Sequence, residues 1–544
     1  MDIRLGTASG RWIVLTTVLG STMALLDSTV VNVALPDLSE DLDASLADQQ
    51  WVVEAYLLAM VSLLLVGGSL SDQFGRRRIF VIGLIGFGVT SVLCAAAPSS
   101  AVLIGARAAQ GLAGALLVPG SLAILAATFE GAERGKAVGT WTAWSGIATV
   151  LGPAGGGALI EALSWRALFW VNVPLIIATV FLTLRVVRES SDPQADRAID
   201  WTGILLSAAG LGGPVFALIQ QPTHGWSDPI VYIPLVAGIV LFAVFLVWES
   251  RARHPMLDLS LFRIRNFSVT NVETLIVYAG LLGAFFFVTL FLQETVGYTP
   301  LEAGLATTPI SLLLFALSPR FGKIATGIGP RVPMSVGPIV GGLGLLLLVR
   351  LNTDSDYLTD VLPGVVIFGL GLSATVAPLT ATALDSVEER RVGVASGINN
   401  GVSRVAGLLA IAVLGAVISG SFATTVDDRL SGERLSAAGE RSVEQAKQKP
   451  FGAADTRGLP TGEADRIETA VTEASERGFH LGMALSGGLM ILGGVIAGAG
   501  LRNPDRQEPR EAPLAAAGGD CGHCPPAEEG AAAGREREPV GETA

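Results

Sequence analysis

The sequence is short of charge. Of its 544 residues only 15% are Asp, Glu, Lys or Arg, against about a quarter in soluble domains. Half of the chain is apolar and its mean hydropathy is +0.56, so a water-soluble globule is the wrong class. Cysteine is scarce too. Cys94, Cys521 and Cys524 are too few for a disulfide framework, and the tail motif CGHC offers at most three metal ligands, one short of a closed zinc site. No metal and no cofactor are expected. There is no G-x-x-x-x-G-K-[ST] loop, which removes the usual phosphate cradle of an ATP-driven machine. A net charge of −12 gives nucleic acid no address.

Long apolar runs are what the chain does have. The first, from Trp12 to about Leu35, exceeds a signal-peptide core and is followed by no small-residue cleavage pattern. It is expected to be a retained spanning helix. At about 20 apolar residues per crossing, fourteen spans are expected: 12–34, 51–71, 79–97, 101–126, 137–160, 168–187, 201–220, 230–248, 268–292, 303–323, 333–350, 361–383, 400–421 and 479–501. Bases gather in alternate loops, with Arg76, Arg77, Arg78, Arg134, Lys136, Arg185, Arg251, Lys323 and Arg331 on one side. The first loop of the other side, PDLSEDLDASLADQQ, has five acids and no base. The positive-inside rule then places both termini in the cytoplasm. A long charged loop is expected at 422–478 on the outside, and a disordered cytoplasmic tail at 502–544.

The chain repeats itself once. GSLSDQFGRR at 68–77 aligns with GKIATGIGPR at 322–331, matching Gly68 with Gly322, Gly75 with Gly329 and Arg77 with Arg331. Both stretches close a helix on the basic side. Counting back gives a six-helix bundle at 1–188, an inserted helix pair at 189–265, and a second six-helix bundle at 266–501. Repeated bundles with a site between them are the architecture of rocking secondary transporters.

Several motifs together resemble the major facilitator superfamily, and within it the fourteen-span drug:proton antiporters. GSLSDQFGRRR is similar to the superfamily's cytoplasmic-loop signature. LIGARAAQGLAGA (103–115) resembles the fourth-span signature, with Arg107, Gln110 and Gly111. GIATVLGPAGGGAL (146–159) resembles the fifth-span antiporter signature, with Gly152, Pro153, Gly156 and Gly157. LLDSTVVNVALP is similar to the first-span motif of the group, and WRALFWVNVP to the start of its sixth span. The chain departs from the pattern at Gln73, where a second base is usual, and at Thr326, where the second loop copy lacks its acid. The resemblance implies an all-α integral membrane protein of major-facilitator fold, not an enzyme. It implies proton-coupled efflux of lipophilic compounds, cationic ones among them, by a monomer in a bacterial cytoplasmic membrane. Two alternatives remain: an exporter of one metabolite or siderophore on the same fold, and a sensor or scaffold that no longer transports.

Asp27 is a carboxylate inside the first span, where charge is costly. It lies about 22 Å along the helix at 1.5 Å per residue, and Arg107 lies about 9 Å into an inward-running span, so the two share a depth. They are expected to pair, with Asp27 as the proton-coupling acid. Glu54 is either a second binding carboxylate or an interfacial acid beside Trp51 and Tyr56. Glu273, near the inner end of its span, is expected to snorkel to water. Gly68, Asp72, Gly75, Arg76 and Arg77 form the loop read as a latch, with Asp72 binding a neighbouring helix end. Gly152, Gly156 and Gly157, with a kink at Pro153, suit close helix packing. Phe285, Phe286 and Phe287 are open between cavity lining and packing.

Overall fold

Apolar segments that cross a bilayer must satisfy every backbone N–H and C=O within themselves, and this chain does so with helices. The computed structural model describes residues 5–129, 131–191, 200–252, 255, 257–388 and 391–503; of these, side chains at several helical positions, among them 65–66, 68–69, 72 and 145–151, lie outside the described set. The helices are α1 (Ala8–Leu42), α2 (Leu46–Phe74), α3 (Arg76–Ala95), α4 (Ser100–Thr128), α5 (Gly131–Ala162), α6 (Ala167–Trp170), α7 (Asn172–Val186), α8 (Trp201–His224), α9 (Pro229–Glu249), α10 (Arg265–Glu294), α11 (Pro300–Ile328), α12 (Arg331–Leu348), α13 (Leu362–Asp385), α14 (Val392–Leu430), α15 (Ala437–Gln448) and α16 (Thr461–Gly500). No strand occurs among the described residues.

Twelve helices among the described residues are long and apolar enough to cross a membrane. Of the fourteen spans expected, those at 51–71 and 137–160 fall on α2 and α5, which are 29 and 32 residues long, carry residues outside the described set and are not among the twelve. The CGHC tail also falls outside it.

Helices α1 to α7 pack on one another, and so do α10 to α14 with α16. The repeat is built into matching details. The second helix of each bundle starts with a capping box, Ser45 with Asp48 on α2 and Thr299 with Glu302 on α11. Each ends in a glycine of positive φ, Gly75 at +105° and Gly329 at +88°, a conformation that disfavours a side chain. The inserted pair stands against the seam between the bundles: α8 contacts both α2 and α14, and α9 lies outside it against α8. Only 17% of the most apolar stretch of α9 is buried, as expected for a helix facing lipid.

The stretch 422–478 corrects the reading of a long loop. Helix α14 runs on to Leu430, α16 begins at Thr461, and α15 lies between them. Phe422, Val426, Val443, Ala446, Ile467, Val471 and Ala474 form a small core of their own. Polar faces hid this continuation, because the helices keep an apolar stripe but lose the all-round hydrophobicity of a span. Phe451 then packs against Phe287 and Phe291.

Candidate functional site

Asp27 on α1 and Arg107 on α4 meet, as their depths require. Arg107 Nη1 donates to Asp27 Oδ2, and the two residues are 0% and 2% exposed, Arg107 the lower. The rest of the guanidinium is held as well. Its Nε donates to the Val52 carbonyl of α2 at 3.0 Å, and Nη1 donates to Gln110 Oε1 at 2.7 Å. Gln110 sits three residues on from Arg107, one helical turn, and so shares its face. Gln110 Nε2 donates to Asp27 Oδ1 at 3.2 Å and to Ser91 Oγ at 3.1 Å. Asn172, at the start of α7, donates to Asp27 Oδ1 at 3.5 Å. The Arg107 guanidinium carbon lies 4.3 Å from the centre of the Tyr56 ring, and the Tyr56 hydroxyl donates to the Ala24 carbonyl at 2.8 Å. A buried charge is tolerable only with partners on every side, and helices α1, α2, α3, α4 and α7 supply them. Tyr56 and the sixth-span motif that holds Asn172 were read in the sequence without this role, and Ser91 was not singled out, because a single polar residue in a span does not say which neighbour it will meet.

Asp27 therefore lies within the first bundle. The same helix reaches the fifth-span glycines one turn further on. Gly152 lies against Thr29 and Leu26, with a Cβ there placed 3.4 Å from Thr29 Oγ1, and Gly156 lies against Val30. The other edge of that face meets the second bundle. Gly157 abuts Pro300 and Leu301 at the start of α11, where a Cβ would fall 2.7 Å from Leu301 Cα. In return Gly304 of α11 abuts Pro153, with a Cβ 2.5 Å from its carbonyl oxygen. Helix α5 thus meets side chains of α1 on one side and main chain of α11 on the other.

The basic loop is held by a residue the sequence did not single out. Gly75 ends α2, and the first backbone N–H groups of α3 point at Glu189, beyond the end of α7. Arg77 N donates to Glu189 Oε1 and Arg78 N to Oε2, both at 3.1 Å, while Arg76 N donates to the Ser190 carbonyl at 2.9 Å. A carboxylate at a helix N-terminus meets unpaired donors and the positive end of the helix dipole. The second bundle repeats the arrangement with a neutral group: Arg331 N donates to Asn503 Oδ1 at 3.1 Å, and Asn503 follows α16. Arg77 reaches the Val187 carbonyl at 3.4 Å, and Arg331 the Gly498 carbonyl at 2.6 Å. Gly68 and Asp72 lie on α2, but their side chains fall outside the described residues.

Two acids differ from expectation. Glu273 does not snorkel: it is 0% exposed and, among the described residues, neither carboxylate oxygen has a hydrogen-bond partner. It lies on the buried face of α10 with Thr270, Asn271 and Thr274. Glu54 is likewise 0% exposed, and among the described residues neither of its carboxylate oxygens has a hydrogen-bond partner. Phe286 and Phe287 are fully buried and packed edge to face, and Phe285 lies against the same core. They serve packing.

The model of the Major Facilitator Superfamily matches residues 17–411. The chain belongs to the major facilitator superfamily. It is 37% identical over 413 residues to multidrug resistance protein Stp of Mycobacterium tuberculosis (strain CDC 1551 / Oshkosh), covering 76% of each chain. It is 32% identical over 502 residues to the tetracenomycin C resistance and export protein of Streptomyces glaucescens, covering 91% of this chain and 93% of that one. It is also 37% identical to puromycin resistance protein pur8 of Streptomyces alboniger over 77% of this chain and 84% of the other. Among solved structures, a bacterial homologue of the human lysosomal transporter Spinster matches with a TM-score of 0.64 at 15% identity, covering 91% of this chain and 97% of that one. That likeness confirms the fold. The protein is thus a multi-pass membrane transporter of the superfamily, among relatives named for drug resistance and export.

Proposed function

We propose that the chain exports drugs, antibiotics or other lipophilic small molecules across a bacterial cytoplasmic membrane in exchange for protons, as a monomer with both termini in the cytoplasm. Its relatives' names for resistance and export support the efflux reading. One observation carries the proton-coupled reading: the enclosed Asp27–Arg107 pair ties α4 to α1, the helix that abuts the glycines of α5.

The coupling follows from those contacts. A proton arriving on an Asp27 oxygen cancels the charge that Arg107 neutralises. The guanidinium keeps Val52, Gln110 and the Tyr56 ring, so it stays with α2 and α4. Helix α1 loses its strongest tie to α4 and is free to shift. Thr29 and Val30 move with it, and they press on Gly152 and Gly156. Helix α5 passes that shift to its crossing with α11, where the bundles meet. A proton on one bundle can therefore loosen or tighten the contact between the two. The energy comes from the gradient, about 2.3 kcal/mol per charge per 100 mV.

The test is ethidium uptake into everted membrane vesicles with an imposed pH gradient. Wild-type vesicles accumulate the dye when the gradient is present and stop when it is collapsed. Asp27→Asn vesicles with the same amount of inserted protein do not respond to the gradient. Undiminished gradient-driven uptake by that variant would overturn the role of Asp27, and uptake indifferent to the gradient in the wild type would overturn proton coupling.

A further inference from the structure

We propose that an apolar chamber between the inserted helix pair and the two bundles is a loading site for uncharged lipophilic cargo, a ring compound carrying a hydroxyl or carbonyl group. This rests on the export reading above and names a substrate class for it.

Val61 of α2, Leu211 of α8, Phe242 of α9, Leu275 of α10 and Val402 of α14 line the chamber, which holds about 420 Å³. Drug-sized ligands occupy cavities of roughly 300–1,000 Å³. Leu257, Leu259 and Phe262 line it as well, and they belong to the segment that joins α9 to α10 on the basic side. In the orientation proposed above, that is the cytoplasmic side, where an exporter collects its cargo. Among the described residues no acid and no base lines the chamber, and Ser207 and Asn271 are the polar side chains that do. An ion entering it would leave water without meeting a counter-charge, which is costly. The lining therefore selects for uncharged compounds.

A glycine on α14 keeps this space open. Glycine weakens a helix, and in membrane helices it commonly serves to let a neighbour pack closely. Gly407 of α14 does so, since a Cβ there would fall 2.6 Å from Leu282 Cδ1. Gly401 does not. It lines the chamber, and a Cβ built on it would meet nothing within 4 Å beyond its own helix. The missing side chain leaves room for something other than a neighbouring helix. The two polar groups also have capacity to spare. Asn271 is 2% exposed. Its Nδ2 donates to the Phe267 carbonyl at 2.8 Å, and its Oδ1 accepts from Asn399 Nδ2 at 3.3 Å, which leaves one N–H and one lone pair of the amide unused. Ser207 Oγ donates to the Ile204 carbonyl at 3.0 Å and can still accept. A hydroxyl or carbonyl on an otherwise apolar ring system matches that remainder, with the rings buried against Phe242 and Val402.

Tritiated 2-naphthol tests the proposal, bound to the purified full-length protein by scintillation proximity at neutral pH, with unlabelled competitors. Naphthalene should displace it more weakly than 2-naphthol itself, and 2-naphthoate and 2-naphthylmethylammonium only at tenfold or higher concentration. Gly401→Leu, whose side chain has open space to enter, should lower the affinity at least tenfold, and Gly401→Ala by less. Asn271→Leu should weaken 2-naphthol about tenfold, the scale of a lost hydrogen bond, and leave naphthalene unchanged. Equal displacement by the neutral and charged compounds, or unchanged binding in a folded Gly401→Leu protein, would overturn the site. So would binding that is lost when the protein is moved from detergent into lipid nanodiscs, because an acyl chain would then be the occupant. If Gly401→Leu does not fold, Gly401→Ala and the order of the competitors decide. Binding needs no gradient, so the two readings separate. Gly401-dependent binding without gradient-driven ethidium uptake by the wild type leaves the site standing and removes proton-driven export. Gradient-driven uptake without Gly401-dependent binding leaves export standing and removes the site.

Discussion

Gly304 of α11 lies directly over the Pro153 carbonyl of α5, and a Cβ there would fall 2.5 Å from that oxygen. The two bundles meet at this point with no side chain between them. A larger residue cannot be absorbed by a rotamer change, because the obstacle is backbone. Gly304→Val and Gly157→Val should therefore insert normally yet hold α5 and α11 apart. Expected outcomes are loss of gradient-driven dye uptake and faster labelling of a cysteine introduced at Thr299, which caps the α11 end of the crossing. Normal transport by either variant would refute the close-contact account.

The Asp27–Arg107 pair should separate stability from function. Removing one partner of a buried pair costs about 3–5 kcal/mol, because the other charge is stranded. Arg107→Ala should accordingly lower the detergent melting temperature and the inserted yield. The double variant Asp27→Leu with Arg107→Met, which strands no charge, should recover most of the stability and none of the proton-driven transport. Thermal melts followed by tryptophan fluorescence, run beside vesicle uptake, check both halves.

Glu189 predicts a local effect. It accepts from two backbone N–H groups at the start of α3, and losing such a cap costs about 1 kcal/mol. Glu189→Ala should lower stability by that amount, and Glu189→Gln by less, since the amide still accepts. Asn503→Ala should do the same to α12 in the second bundle. Hydrogen exchange at residues 76–80 and 331–335 reads each effect separately.

A weak pH effect is expected outside the membrane. Lys449 Nζ donates to Asp43 Oδ1 at 2.8 Å, tying the end of the α15 segment to the end of α1. That hydrogen bond, with the charge of Lys449, holds the Asp43 carboxyl below its ordinary value of 3.8. A carboxylate held low in the folded state stabilises it above the unfolded value and loses that contribution as pH falls through the folded value. Exchange of the segment 437–452, corrected for intrinsic rates, should rise as pH drops below about 4, and Asp43→Asn should remove the dependence.

Much of this was legible in the sequence, for physical reasons. A bilayer forces spans to be long and apolar, so the helices announce themselves. Asp27 and Arg107 stand out because charge is rare there, and equal depth was enough to pair them. The glycines of α5 were readable because only a close approach needs them in a row. What escaped notice had no such contrast. Glu189 and Asn503 lie in polar stretches where one more acid or amide is unremarkable, and their roles depend on which helix end the fold brings to them. Asn172 and Ser91 are ordinary membrane-helix residues until Gln110 is placed beside them. Glu273 misled because depth along a helix does not say which way a side chain points.

The inserted pair has a consequence for the evolution of the molecule. Ser207 and Leu211 of α8, with Phe242 and Phe245 of α9, form one wall of the apolar chamber beside α14. A shortened descendant that lost residues 201–249 would retain both bundles and the acid on α1. It would lose the partition between that chamber and the surrounding acyl chains. Acyl chains could then enter the chamber, so the two additional helices set the border between protein interior and lipid there.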